Sequence, residues 1–340
     1  MKKNLLITGG SGFLGINLAL RLRKKYNVFI GSRNQKRNYD AKLETGCEAI
    51  PLDVTNIESV RDAVIYCKPD IIIHMAAQSL VIDSYKNPYH TFDVNFMGTL
   101  NLIECIKRLK IKRSLIITSD KVYKNSNSQN FFKESDQLGG DDPYSASKAS
   151  VEILVNSFAK SFFISSKNIH IATARAGNVV GGGDWSKKRL IPDFFNCLYN
   201  NQVLSVRNSS HTRPWQHVLD PLVGYLLLAK KQHLSKINGE KNNSWNFGPN
   251  KNNFKKVIDV VKFVQKLEKF KFSIDNKKKL HETAVLKLDS SKAKDKLNWS
   301  SKWNLSVALK KTLEWNNSLN KEISPEKKCV QQFLMYMNSK

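Results

Sequence analysis

The chain opens on a short apolar block, Asn4-Leu5-Leu6-Ile7-Thr8, which breaks into TGGSGFLG and is followed by an amphipathic segment over residues 16–25. Further short apolar blocks recur at Val28-Phe29-Ile30, Ala49-Ile50-Pro51-Leu52, Ile71-Ile72-Ile73, Ser114-Leu115-Ile116-Ile117 and Ile169-His170-Ile171-Ala172. Helix-period patterns fall between them, over residues 57–67, 87–110 and 144–163. Blocks that are apolar throughout belong to strands covered on both faces, and strands alternating with helices make a parallel sheet. The pattern predicts an α/β protein with a doubly wound, Rossmann-type parallel sheet, whose ligands sit at the carboxyl ends of the strands.

Beyond Arg175 the rhythm changes. Gly181-Gly182-Gly183, Trp185, Pro192, Pro214 and Trp215 mark loops and short elements, so a smaller substrate-binding part is expected here. The expected division is a dinucleotide-binding part at 1–177 and a mainly substrate-binding part at 178–340. Segments near 212–250 are expected to return to the first part, with Ser244-Trp245-Asn246-Phe247 as a strand of the main sheet. Helical patterns resume over 254–267 and 305–315. The tail after Ile323 is polar and ends in an apolar patch, Phe333-Leu334-Met335.

Composition narrows the class. The 340 residues are 41% apolar, enough for one large or two small cores, which excludes disordered and fibrous proteins. No run approaches the roughly 18 apolar residues of a membrane span. The N-terminal apolar run meets glycines instead of a signal-peptidase site. Five cysteines, Cys47, Cys67, Cys105, Cys197 and Cys329, show neither paired nor metal-like spacing and read as free thiols of a cytoplasmic protein without a metal site. The net charge of +26 invites a nucleic-acid reading. The lysines are spread over the whole chain, with runs at Lys277-Lys278-Lys279 and Lys327-Lys328, and accompany many asparagines. They read as solvated surface that also favours a dianionic substrate, and no nucleic-acid or membrane partner is expected.

Three stretches carry candidate chemistry. Gly9, Gly12 and Gly15 suit a strand, tight turn and helix start, where the backbone approaches a pyrophosphate and presents free N–H groups at the positive end of a helix. Tyr144 and Lys148 stand one helical turn apart on one face. An ammonium about 5 Å from the phenol, at an effective dielectric near 20, is worth roughly 3 kcal/mol, or about two pKa units. That predicts a phenol lowered from about 10 toward 8, able to take a proton from a sugar hydroxyl. Ser119-Asp120-Lys121 directly follows a strand and brings a hydroxyl, an acid and a base to the carboxyl edge of the sheet. These three residues equally suit a turn or helix cap with a solvated lysine.

Together TGGSGFLG, HMAAQ (74–78), Asn95, the strand-end SDK and YSASK resemble the extended short-chain dehydrogenase/reductase superfamily and its epimerase/dehydratase family. Within it the chain is similar to the CDP-glucose 4,6-dehydratase branch. The shared blocks are ITSDKVY (117–123), GGDDPYSASK (139–148), ARAGNVVGGGDW (174–185), RLIPD (189–193), RPWQHVLDPLVGYLLLA (213–229), WNFGP (245–249) and HETAVLKLDSSKA (281–293). The resemblance implies a dehydratase that oxidises C4 of a nucleotide-linked hexose, CDP-glucose in the first place. Water is then eliminated across C5 and C6, and the hydride returns to C6. It implies Tyr144 and Lys148 for proton removal from the 4-hydroxyl, Ser119 on O4, Asp120 as the acid for the departing 6-hydroxyl, and Lys121 as the C5 base. Lys121 stands where related dehydratases carry a glutamate, and it must be largely neutral to act.

The resemblance also implies a dinucleotide held by Gly9, Gly12, Phe13, Leu14 and Gly15, by Asp53 and Val54 at adenine, and by Ala76, Ala77, Gln78 and Asn95. Asn178, Arg189 and Arg213, with Arg207 and His217 behind them, are expected to hold the substrate nucleotide, because arginine forks match phosphate oxygens. At the end of the second strand Ser32 and Arg33 stand where an NAD enzyme usually carries an acid, so residue chemistry favours NADP while the resemblance favours NAD. A homodimer through the helices at 87–110 and 144–163 is implied too. An epimerase or reductase of the same superfamily, needing neither Asp120 nor Lys121, is the nearest alternative. A non-catalytic regulatory or nucleic-acid-binding member is a remote one.

Overall fold

Local sequence explains where the first half of the chain bends. The computed structural model describes residues 1–125, 130–164, 166, 168–231, 243–275, 280–319 and 324–339; the lysine run at 277–279 and Ile323 lie outside them. Strands β1 (Lys3–Thr8), β2 (Tyr26–Ser32) and β3 (Glu48–Pro51) are each followed by a helix, α1 (Phe13–Leu22), α2 (Gln35–Thr45) and α3 (Ile57–Cys67). The asparagines before α2 and α3 accept from first-turn backbone N–H groups, and Gly46 ends α2 in the left-handed conformation. After β4 (Ile71–His74) come α4 (Val81–Lys86), α5 (Pro88–Phe92) and α6 (Gly98–Leu109), the last two joined by a π-helical turn at Asp93–Met97. From β5 (Arg113–Ile117) the chain reaches α7 (Pro143–Phe158), extended by a second π turn at Ala159–Phe163, and then β6 (His170–Ala176). Pro143 at the first helical position and the Asp142 carboxylate, which accepts from Ser145 N at 2.9 Å, start α7.

The second half leaves this pattern and partly comes back to it. β7 (Asn178–Val180), α8 (Leu190–Tyr199), β8 (Leu204–Val206), β9 (Thr212–His217) and α9 (Leu219–Lys231) precede β10 (Ser244–Phe247), which pairs in parallel with β6. The main sheet is parallel in the order β10-β6-β5-β4-β1-β2-β3. Then follow β11 (Phe254–Lys256), α10 (Val257–Leu267), β12 (Phe272–Ile274), α11 (Ser291–Leu297), α12 (Leu305–Ser318) and α13 (Pro325–Asn338). Within the stretch expected to return, α9 and β10 join the main sheet but β9 does not. Both its edges are taken, by β7 in parallel and β11 antiparallel, in a separate three-stranded sheet. A two-stranded sheet of β8 and β12 completes the second part.

Alternation within β1 shows how the main sheet is covered. Leu5 and Ile7 enter a core shared with α1, α9, α11 and Tyr336 of α13, whereas Leu6 enters the opposite core with α3, α6 and α7. A third core, with Phe194, Phe195, Trp215, Val260 and Leu309, sits under the smaller sheets. The terminal apolar patch is divided by α13: Phe333 packs on the first core under the Arg21 guanidinium, while Leu334 and Met335 face outward.

Candidate active site

The carboxyl ends of β1, β4, β5 and β6 open into a cavity of about 510 Å³ whose other wall comes from α8, β8, β9 and residues 280–282. At its floor the glycine turn behaves as the sequence requires. Gly9 has φ +65°, and a Cβ there would lie 2.7 Å from Ala76 N. A Cβ on Gly15 would lie 2.5 Å from Gly10 Cα, so this glycine lets α1 pack against the turn. Gly12 caps α1 without a side-chain hydrogen bond, and the first turn carries no acid. The helix N-terminus thus keeps its donors and positive end for an anion, which fits a pyrophosphate.

Phe13, Leu14, Ala77, Ser119, Asp120, Lys121, Tyr144, Lys148, Asn178, Arg189, Arg207 and Arg213 all line the cavity. Ser32, Arg33, Asp53 and Val54 lie away from it, at the ends of β2 and β3. Asp53 closes a turn by accepting from Thr55 N and Oγ1 at 3.0 and 2.8 Å, and Val54 packs against Gly98 of α6. Asn95, expected on the dinucleotide, is instead a buried staple. Its amide bonds Gln78 N and O at 2.8 and 3.0 Å and Ser147 Oγ at 2.9 Å, tying the loop of Ala76, Ala77 and Gln78 to α7. His217, expected on the substrate, is also buried outside the cavity, its ring edge-on to Trp303 and its Nδ1 accepting from Leu219 N at 3.3 Å. Burial pushes its pKa down to about 3, so it stays neutral and offers no charge to a phosphate.

Tyr144 and Lys148 are buried on the cavity face of α7. The expected lowering of the phenol does not occur: burial pushes Tyr144 up to about 12, outweighing a hydrogen bond with Ser119. Lys148 donates to the Ile117 carbonyl at 3.1 Å, and burial pulls it down to about 8 against the charge of Glu152. Desolvation therefore dominates both members of the pair. Behind Lys148, one turn along α7, the buried Glu152 carboxylate holds Arg175 through Nε at 3.0 Å and Nη2 at 2.8 Å, and also accepts from Thr173 and Ser244. The sequence motifs assign no role to this pair. Its signals were the i, i+4 spacing of Glu152 from Lys148 and a charged residue inside an apolar strand.

Ser119 starts a single 3₁₀ turn at Asp120–Val122, its Oγ accepting from Lys121 N at 3.2 Å and donating to Asp120 Oδ1 at 3.1 Å. The other carboxylate oxygen of Asp120 is buried without a hydrogen-bond partner, and desolvation raises its pKa. Such a carboxyl is disposed to hold a proton and give it up. Lys121 donates to Glu282 Oε1 at 2.8 Å, and the same oxygen lies 3.1 Å from Arg213 Nη2. These two cations hold the Glu282 carboxyl down at about 2. Arg213, nearly fully buried, also donates to the Thr212 and Ala284 carbonyls at 3.1 and 3.2 Å. Arg189 pairs with Asp184 at 3.2 Å and donates to Ser79 Oγ at 2.8 Å, while Arg207 donates to the Lys188 carbonyl at 2.7 Å. Glu282 belongs to a block quoted for its resemblance, yet nothing in the residue pattern singled it out.

A parallel dinucleotide-type sheet with a buried Tyr-x-x-x-Lys pair at its carboxyl edge defines an extended short-chain dehydrogenase/reductase. More narrowly, the chain belongs to the GDP-mannose 4,6 dehydratase family, whose model matches residues 6–312. It is 37% identical over 328 residues to the CDP-glucose 4,6-dehydratase of Salmonella typhimurium, covering 93% of this chain and 91% of that one. Among solved structures, the fold is shared with the UDP-glucose 4-epimerase of Thermotoga maritima, solved with UDP-glucose. That match has a TM-score of 0.79 and 21% identity, over 93% of this chain and 99% of the other. The dTDP-glucose 4,6-dehydratase of Bacillus anthracis, in complex with NAD, matches with a TM-score of 0.77 and 20% identity, over 96% and 100% of the two chains.

Proposed function

We propose that this protein is a nucleotide-sugar 4,6-dehydratase that converts CDP-glucose to its 4-keto-6-deoxy derivative. The observation that carries the reading is the convergence, in one cavity, of a buried Tyr144 and Lys148 on α7 with an acid and a base just after β5, Asp120 and Lys121. An epimerase has use for the first pair only. The 37% identity with a CDP-glucose dehydratase over nearly the whole chain supports the cytidine nucleotide.

NAD supplies, when bound, the acceptor for the C4 hydride and the donor that returns it to C6. Gly9, Gly12, Phe13, Leu14 and Gly15 would hold its pyrophosphate, with Asp53 and Val54 at the adenine end and Ala76, Ala77 and Gln78 along it. NAD bound to a dehydratase of the same fold supports this choice over NADP, and Ser32 and Arg33 make NADP the control.

As the phenolate, Tyr144 takes the proton of the 4-hydroxyl and becomes the neutral phenol, with Ser119 hydrogen-bonded to O4 and the Lys148 ammonium stabilising the phenolate beforehand. Burial makes the phenol a poor acid at rest, so its proton moves only when substrate and Lys148 compensate. Once C4 is a ketone the C5 proton is acidic; Lys121, as a neutral amine, accepts it. Asp120 protonates the C6 oxygen as the C6–O bond breaks, and water leaves. Arg189, Arg207, Arg213 and Asn178 line the wall that would receive the diphosphate.

The wider reading divides the chain at about residue 177 into cofactor and substrate parts, with α9 and β10 serving the cofactor part. Tyr89, Phe92, Met97, Ile153, Phe162 and Ile164 leave apolar side chains exposed along α5–α7, which supports a homodimer through these helices. The five free cysteines support a reducing, cytoplasmic setting. Among the described residues no helix is long and apolar enough to cross a membrane. The test is incubation of the purified protein with CDP-glucose and NAD, with NADP in a parallel reaction. Loss of one water from the sugar nucleotide by mass, with the alkaline absorbance of a 4-keto-6-deoxy sugar, is expected with NAD. A product of unchanged mass, or none, would overturn the reading.

A further inference from the structure

The segment 280–290 borders the cavity through Leu280 and Glu282 and is held as a strap by anchors along its length. Tyr85 Oη donates to the His281 carbonyl at 2.9 Å, Thr212 N to Ala284 O at 2.9 Å, and Asn125 Nδ2 to Val285 O at 2.7 Å. Phe132 and the strap exchange two backbone bonds at 2.9 Å, through Lys287 O and Asp289 N. These anchors leave Glu282 little freedom, and its two oxygens are fully engaged: Oε1 by Lys121 and Arg213, Oε2 by Asn208 Nδ2 at 2.9 Å. The carboxylate is thus a fixed negative point between two cations from different elements, one from the turn after β5 and one from β9.

We propose that Glu282 is the positioning residue of Lys121, aiming its amine into the cavity and setting the pH at which that amine becomes available as a base. The link to elimination rests on the reading of Lys121 as the C5 base; the control of the amine by Glu282 stands apart from it. The charged and titratable groups around Lys121 come from every side of the site. Asp120 is on its own turn, Glu282 on the strap and Arg213 on β9, with His211 3.0 Å from Arg213 Nη2. Beyond these, Tyr144 of α7 interacts with Asp120, and Tyr85 of α4 with Glu282 and with Asp142 at the α7 cap. Glu282 is the carboxylate in direct contact with the Lys121 ammonium. Removing its charge leaves Lys121 facing Arg213, and like charges favour the neutral amine.

The experiment compares the full-length wild type with Glu282→Gln and Glu282→Asp. Glutamine keeps the shape and the capacity to accept from Lys121, so the fold and the aim are retained while the charge is lost. The first readout needs no substrate: acetylation of Lys121 by acetic anhydride as a function of pH, resolved by peptide mass spectrometry, with the exposed Lys36 as internal standard. The half-maximal rate of Lys121 is expected about one pH unit lower in Glu282→Gln, and within a few tenths of wild type in Glu282→Asp. Lys36 should not move. The second readout is the acid limb of kcat for dehydration, which should shift down by a similar amount in Glu282→Gln with its plateau within a few-fold. An unchanged acetylation midpoint in folded Glu282→Gln overturns the inference. A shifted midpoint in a protein that dehydrates no nucleotide sugar upholds it and overturns the proposed function instead.

Discussion

Lys148 and Lys121 line one cavity but are held in contrasting ways. Lys148 is buried on α7, donates to a backbone carbonyl, and is pulled down to about 8 by desolvation. Lys121 sits on a short turn and donates to a carboxylate 161 residues away in sequence. The proposed chemistry needs them in opposite states, Lys148 charged beside the Tyr144 phenolate and Lys121 neutral toward C5. The resting site does not by itself favour those states: desolvation works against charge on Lys148, and Glu282 sets an anion against Lys121, so bound cofactor and substrate have to supply the balance. The two halves of the reaction therefore rest on two kinds of structure, a single helical turn and a contact among three distant segments.

The sharpest way to separate these halves is Tyr144→Phe. Turnover should fall by about 10³-fold or more, with substrate affinity by calorimetry changed little. Solvent deuterium should then fail to enter C5, since no ketone forms to acidify that proton. A variant that keeps most of its rate would remove Tyr144 from the mechanism. Asp120→Asn comes next, with an expected loss of about 10²-fold confined to elimination. Substrate recovered from heavy water should carry deuterium at C5 while water loss is slow; a loss of exchange in parallel would place Asp120 in the oxidation half.

The smallest effect concerns pH. The Lys148 ammonium loses its proton as pH rises through about 8, and its support for the phenolate goes with it. Hence kcat/KM of the wild type should fall on the alkaline side of about pH 8, and Lys148→Met should show a low rate without that limb. An alkaline limb that survives in Lys148→Met would assign it to another group.

Some of this organisation is local, and local signals were readable. The Gly9–Gly15 turn, the apolar blocks of the parallel sheet and the spacing of Tyr144 and Lys148 each involve neighbours within a few residues, where backbone sterics and helix period decide the outcome. The same reasoning mistook the electrostatics of that pair, because it counted the attraction between the two groups and not the cost of burying both. It also sent Asn95 and His217 to ligands, although both are buried among protein groups that a motif does not display.

The sequence by itself determined the fold class, the strand ends from which the site is built and the pair of residues on α7, since these follow from periodicities carried by contiguous residues. Only the tertiary structure decided that β9 leaves the main sheet, that the terminal helix docks on α1, and that Glu282 reaches Lys121 and Arg213. Those arrangements depend on which surfaces meet when the cores close, and on how completely each polar group is then stripped of water. Neither quantity is written in any short stretch of chain.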